Sequence, residues 1–104
     1  MLDARFSQAA ADEFEADIDY YEGRSVASGD AFRDAVEAEV LLIRRHPKIG
    51  VPYRGGYRKR KVTGYPHLIF YVEYPNYVWI QAIYDGRRRP DAWLNRDLPL
   101  DDPA

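Results

Sequence analysis

Apolar residues recur at helical spacing in the first half of the chain and in strand-like runs in the second. Ala10, Phe14, Ile18 and Tyr21 follow at steps of four, four and three, and Phe32, Val36, Val40 and Ile43 repeat that pattern. Each set makes one apolar stripe down a helix. Ser7, ahead of AAADEFEA, stands where a helix N-cap belongs, and Gly23 where the helix ends or its last turn weakens. Asp12, Glu13, Asp17 and Asp19 lie largely off the stripe. The second helix is predicted from Ser28 or Asp30 to Arg45. Arg44, Arg45 and His46 complement the negative end of its dipole, and Pro47 forbids continuation. A short link makes the two an antiparallel helical hairpin whose stripes need a partner.

That partner is predicted downstream. Tyr57–Thr63, His67–Tyr74 and Tyr77–Tyr84 are rich in β-branched and aromatic residues, with Gly64-Tyr65-Pro66 and Pro75-Asn76 as turns between them. Short connections imply antiparallel neighbours, hence a meander. Leu2–Phe6 is a further candidate strand, Lys48–Gly56 reads as a loop, and the polar tail Asp91–Ala104 is expected to fray from about residue 97. The order β-α-α-β-β-β reads as an α+β fold of two layers, one domain over residues 1–104.

Composition narrows the function more than it identifies it. With no cysteine, disulfides and thiolate metal sites are excluded, in keeping with a cytoplasmic protein. No apolar run approaches the ~20 residues of a membrane span, and MLDARFS lacks the features of a signal peptide. Only two histidines occur, His46 and His67, neither with acids at ligand spacing, so no metal is expected and each reads as structural. Nucleotide-binding glycine motifs are missing, no nucleophile-and-base arrangement is visible, and no cofactor is implied.

Charge is divided along the chain. Residues 1–52 carry 6 Lys+Arg against 11 Asp+Glu, and residues 53–104 carry 9 against 6. The basic excess sits in Arg58-Lys59-Arg60-Lys61 and Arg87-Arg88-Arg89. Strand alternation puts Arg58, Arg60 and Val62 on one face and Lys59 and Lys61 on the other. If Val62 turns inward, Arg58 and Arg60 line a concave edge and the lysines are exposed. Such arginines can clamp a phosphate. The plainer alternative is a solvated basic edge that prevents strand-to-strand aggregation. Tyr65, Tyr71, Tyr74, Tyr77 and Tyr84 can stack on bases, but cross-strand packing is their ordinary use. Trp93 is expected to anchor the tail on the sheet.

Three fragments, FSQAAADEFEADIDYYE, IRRHPKIGVPYRGGYRKRKVTGYPHLIFY and IQAIYDGRRRPDAWLNR, together make the chain resemble the RelE/ParE superfamily of toxins from type II toxin–antitoxin systems over roughly residues 2–96. The G-R-R-R-P-x-x-W-x-x-R ending is more similar to the ParE-type branch. The resemblance implies a helical hairpin packed on an antiparallel sheet, a toxin that blocks growth by binding DNA gyrase, and a cognate antitoxin. It also implies target contacts from Arg58, Lys59, Arg60, Lys61, Arg87, Arg88, Arg89, Trp93 and Arg96. RelE-like members instead cleave mRNA on the ribosome without a metal. Here that chemistry would rest on Arg58, Arg60 and Arg88, with Tyr84 or Asp85 moving protons. Many relatives read His-Gly-Arg-Arg and Tyr-Trp where this chain has Asp85-Gly86-Arg87-Arg88 and Ala92-Trp93, which argues against the ribonuclease. A third reading is an inert relative that only binds its partner. The antitoxin is expected to bring an acidic segment that folds over Phe14, Ile18 and Tyr21, drawn by Arg58, Arg60 and Arg87–Arg89.

Overall fold

Ser7 turns the chain from strand into helix. Its Oγ accepts from the Ala10 amide at 2.9 Å and donates to the Gln81 carbonyl at 2.9 Å, so one hydroxyl caps the first helix and ties it to the sheet. A computed structural model describes residues 1–104. The elements are β1 (Asp3–Phe6), α1 (Gln8–Glu22), α2 (Val26–Arg45), β2 (Val51–Tyr53), β3 (Tyr57–Lys61), β4 (His67–Glu73) and β5 (Tyr77–Asp85). Both apolar stripes face the sheet as their spacing predicts, with Ala10, Ile18, Phe32, Val36, Val40 and Ile43 in one core. α2 starts earlier than predicted. Ser25 is its cap, accepting from the Ser28 amide at 3.0 Å, so Ser28 belongs to the first turn.

The sheet has five strands in the order β1-β5-β4-β3-β2. The meander is antiparallel, but β1 joins β5 in parallel and leaves its own outer edge open. β2 was not expected. Within the stretch read as a loop, Val51–Tyr53 pairs with Tyr57–Lys59. Gly55 and Gly56, at φ 74° and 79°, make the tight reversal that permits it. Pro52, which has no amide to donate, lies on this edge strand.

One residue on β5 has no partner on β4. Phe70 pairs with Ala82 and Tyr71 with Ile80, so Gln81 is a bulge. Its buried amide makes four contacts on the face away from the helices. Nε2 donates to Tyr57 Oη and to the carbonyls of Arg96 and Asp97, and Oε1 accepts from Trp79 Nε1.

That second face has its own core, containing Tyr57, Phe70, Val72, Tyr74, Tyr77, Ala82 and Trp93. Trp93 is fully buried, its ring centroid 4.1 Å from that of Phe70, and anchors the tail as its aromatic character predicts. The residues expected to fray lie against the sheet. Tyr77 donates to Asp101 at 2.6 Å, Tyr74 to the Pro99 carbonyl at 3.3 Å and the Ala104 amide to the Glu73 carbonyl at 2.9 Å. The helix-and-sheet sandwich is the predicted two-layer arrangement, with the tail laid over its open face. No helix is long and apolar enough to cross a membrane.

Trp93→Ala tests the packing of the tail. Removing a large buried aromatic costs about 3–5 kcal/mol, measurable by urea denaturation of the full chain. A loss below about 1 kcal/mol would mean that the tail does not pack as described.

Candidate functional site

β3 sorts its four basic residues onto opposite faces. Arg58 and Arg60 pair with Tyr71 and Ile69, whose side chains belong to the helix-side core. Arg58 Nη1 donates to the Gly50 carbonyl at 2.8 Å, closing the loop after α2. Arg60 Nε donates at 2.8 Å to Glu39, whose carboxylate is nearly buried against the sheet at 7% side-chain exposure. A carboxylate taken out of water needs such a partner. Val62 is fully buried, so this face does turn inward. The concave cationic edge that would follow from it is not free, because both arginines are committed to internal acceptors.

Lys59 and Lys61 take the other face, where they pair with Phe70 and Leu68. Lys59 is half-buried, its Nζ 4.9 Å from the centroid of the Tyr53 ring, and Lys61 is exposed. Lys61, Leu68 and Tyr84 form one row across β3, β4 and β5. The Tyr84 hydroxyl donates to the Arg89 carbonyl at 2.8 Å and holds the arginine turn against the end of that row.

The turn sends its arginines apart. Arg87 folds back on Asp85 with two contacts of 3.0 and 2.7 Å, and its own amide donates to the same carboxylate. These bonds hold the Asp85 carboxyl at about 2, well below its ordinary value, despite an opposing contribution from burial. Arg88 borders a hollow with Asp12, Glu13, Asp17 and Asp85, and Arg89 one with Asp91, Leu94 and Asn95. Both side chains are exposed, and neither takes part in an ion pair.

Two other candidates are occupied internally. Trp93 has no exposed surface with which to meet a target. Arg96 forms a two-point pair with Glu13, at 3.1 and 2.6 Å, and also donates to the Gln81 carbonyl, fastening the tail to α1. His67 is structural in setting: buried, 3.0 Å from Asp17 and edge-on to Phe32. The other histidine, His46, ends α2 and is exposed.

The candidate antitoxin contacts divide in the same way. Phe14 and Ile18 share an apolar hollow with Phe6 and Ala11. Tyr21 instead stacks on Phe32 at 4.8 Å and meets Tyr65 edge-on. Arg58 and Arg60 line neither this hollow nor the larger groove beside β1. Glu39 and Gln81 went unnoticed in the sequence. A single amide inside the apolar run YVWIQAIY was the available sign of the bulge.

Residues 4–90 match the family model described as ParE toxin of type II toxin-antitoxin system, parDE. The chain belongs to the ParE toxin family, and membership implies an antitoxin partner. Comparison with curated protein sequences finds no match. Among solved structures, the fold is similar to a chain of the chromosomal ParDE TA system from P. aeruginosa, with a TM-score of 0.58 and 15% identity over 82% of this chain and 96% of that one.

The Asp85–Arg87 pair makes a pH prediction. Because the folded carboxyl lies below the ordinary 3.8, the pair stabilises the fold above that pH, and its contribution disappears as pH falls towards 2. Arg87 is 73% exposed, so solvent screening keeps this contribution small. In Arg87→Ala, a carboxyl NMR titration should return Asp85 towards its ordinary value. An unchanged titration would show that the arginine is not what holds it.

Proposed function

We propose that this toxin arrests growth by binding DNA gyrase through the tail-side face of its sheet, and that its cognate antitoxin neutralises it. The observation carrying this reading is the row Lys61–Leu68–Tyr84 with Lys59 beside it and the arginine turn at its end. These are basic and aromatic groups on a rigid sheet, and cations in such a setting steer and hold an anionic or acidic surface. Arg58, Arg60 and Arg96 then support the fold, and Trp93 packs on the same face beside the row, holding the tail there.

The setting of Asp85 favours target binding over RNA cleavage. A general acid must carry a proton near neutral pH, whereas Arg87 keeps this carboxyl ionised. Tyr84 is already donating to the Arg89 carbonyl.

The experiment is induction of the chain alone and together with its neighbouring gene product, followed by two assays. Inhibited supercoiling with intact mRNA is the expected result. Codon-linked cuts in translated mRNA with normal supercoiling would replace this reading with the ribonuclease, and a tight antitoxin complex without growth arrest would point to an inert relative. Lys59→Glu with Lys61→Glu should lower toxicity at least tenfold, an effect of about 1.4 kcal/mol or more, while leaving the thermal unfolding profile near that of the parent. Full toxicity in a folded double variant would remove this face from the proposal.

A further inference from the structure

Asp91 is the one non-glycine residue of the chain with a positive φ, at 59°. A side chain in this left-handed region is held against its preference, and aspartate tolerates the region better than most residues. What holds it is the far edge of the sheet. Its Oδ1 accepts from Tyr53 Oη at 2.6 Å and its Oδ2 from Arg54 Nη1 at 3.1 Å. Both partners belong to the end of β2 and the turn after it, whereas the chain reaches Asp91 from β5, with β4 and β3 lying between. The Asp91 side chain is 16% exposed and that of Arg54 67%, so the ion pair is screened and the tyrosine bond is the stronger tether. The same bond raises the Tyr53 phenol above its ordinary value. The bonds earlier in the arginine turn tie it only to β5 and the start of β4. The Gly86 amide donates to the Pro66 carbonyl at 2.9 Å, the Arg88 amide to the Asp85 carbonyl at 3.0 Å, and Tyr84 Oη to the Arg89 carbonyl at 2.8 Å.

We infer that Asp91 is a positioning residue, which clamps the end of the arginine turn to β2 and so fixes Arg89 at the end of the Lys61–Leu68–Tyr84 row. Tyr53 is the joint. Its ring centroid lies 4.9 Å from Lys59 Nζ, and its hydroxyl holds Asp91, so one side chain ties the lysine strand to the turn. Glycine would meet the backbone requirement at this position without strain. The carboxylate therefore answers to the clamp and not to the turn itself. A cation held in place before binding loses less freedom when it meets its partner than one on a loose loop. The effect on target binding rests on the gyrase reading above; the tethering of the turn does not.

The test uses three variants of the full chain. Asp91→Gly suits the backbone angle and removes the carboxylate. Tyr53→Phe removes the hydroxyl and keeps the ring against Phe70 and Trp93, at centroid distances of 5.3 and 6.2 Å. Asp91→Asn tolerates the left-handed region and retains an oxygen that accepts from Tyr53. Three quantities are measured: thermal unfolding, hydrogen exchange of the Arg88 and Leu94 amides, and inhibition of gyrase supercoiling. The glycine and phenylalanine variants should unfold near the parent temperature while exchange at those amides quickens about tenfold. The concentration needed to inhibit supercoiling should rise about fivefold in both, and the asparagine variant should return it to within about twofold of the parent. Exchange and inhibition that match the parent in Asp91→Gly would overturn the inference. So would a loss of activity that follows a loss of stability and is not rescued by asparagine, the mark of a merely structural residue. A parent chain that leaves supercoiling untouched would defeat the gyrase reading instead. Amide exchange then decides the clamp by itself, faster exchange in the two variants keeping it and unchanged exchange removing it.

Discussion

β5 carries Val78, Ile80 and Ile83 towards the helices and Tyr77 and Ala82 towards the tail, all of them buried. A strand that is apolar on both faces must be covered twice, and most of the architecture answers that need. The helical hairpin supplies one cover through its two stripes. Residues 91–104 supply the other by crossing the open face, with Trp93 fully buried in its core. The Gln81 bulge sits between the two covers. Its side chain binds the tail, and its carbonyl accepts from Ser7 and from Arg96.

The same constraint decides which charges remain available. Glu39 and Glu13 project from the helices onto the sheet, and a carboxylate lowered towards an apolar surface draws in a cation. Arg60 and Arg96 meet that demand, and Arg58 satisfies the loop after α2. The arginines thus stitch layers together, while Lys59, Lys61 and Arg89 stay on the surface on the tail side. Arginine suits the stitching, since its planar fork can serve two acceptors at once, as Arg96 does with Glu13.

Asp34 and Glu37 of α2 lie off the apolar stripe and face outward outside every ion pair. The result is a molecule with a basic, aromatic sheet face and an acidic groove beside β1.

What could be read from the chain was whatever depends on local order: two helical stripes, the serine cap of α1, four of the five strands, the antiparallel turns of the meander, and the family motif. Spacing of apolar residues carries that information because each period matches one backbone geometry. Even the separation of Arg58 and Arg60 from Lys59 and Lys61 follows from pleating alone. Which of the two pairs would be spent was decided only in three dimensions. Glu39 lies 21 residues from Arg60 and Glu13 lies 83 from Arg96, and no local pattern marks such partners. The short strand β2 escaped notice because glycine and proline dominate its neighbourhood, and its pairing depends on two positive-φ glycines. The tail looked loose because its composition is polar, yet a few aromatic and amide contacts hold it on a face that the helices leave bare. Burial and ion pairing are set by what the fold brings near, and that is why the surface cations outside ion pairs and the unpaired carboxylates became identifiable only from the tertiary structure.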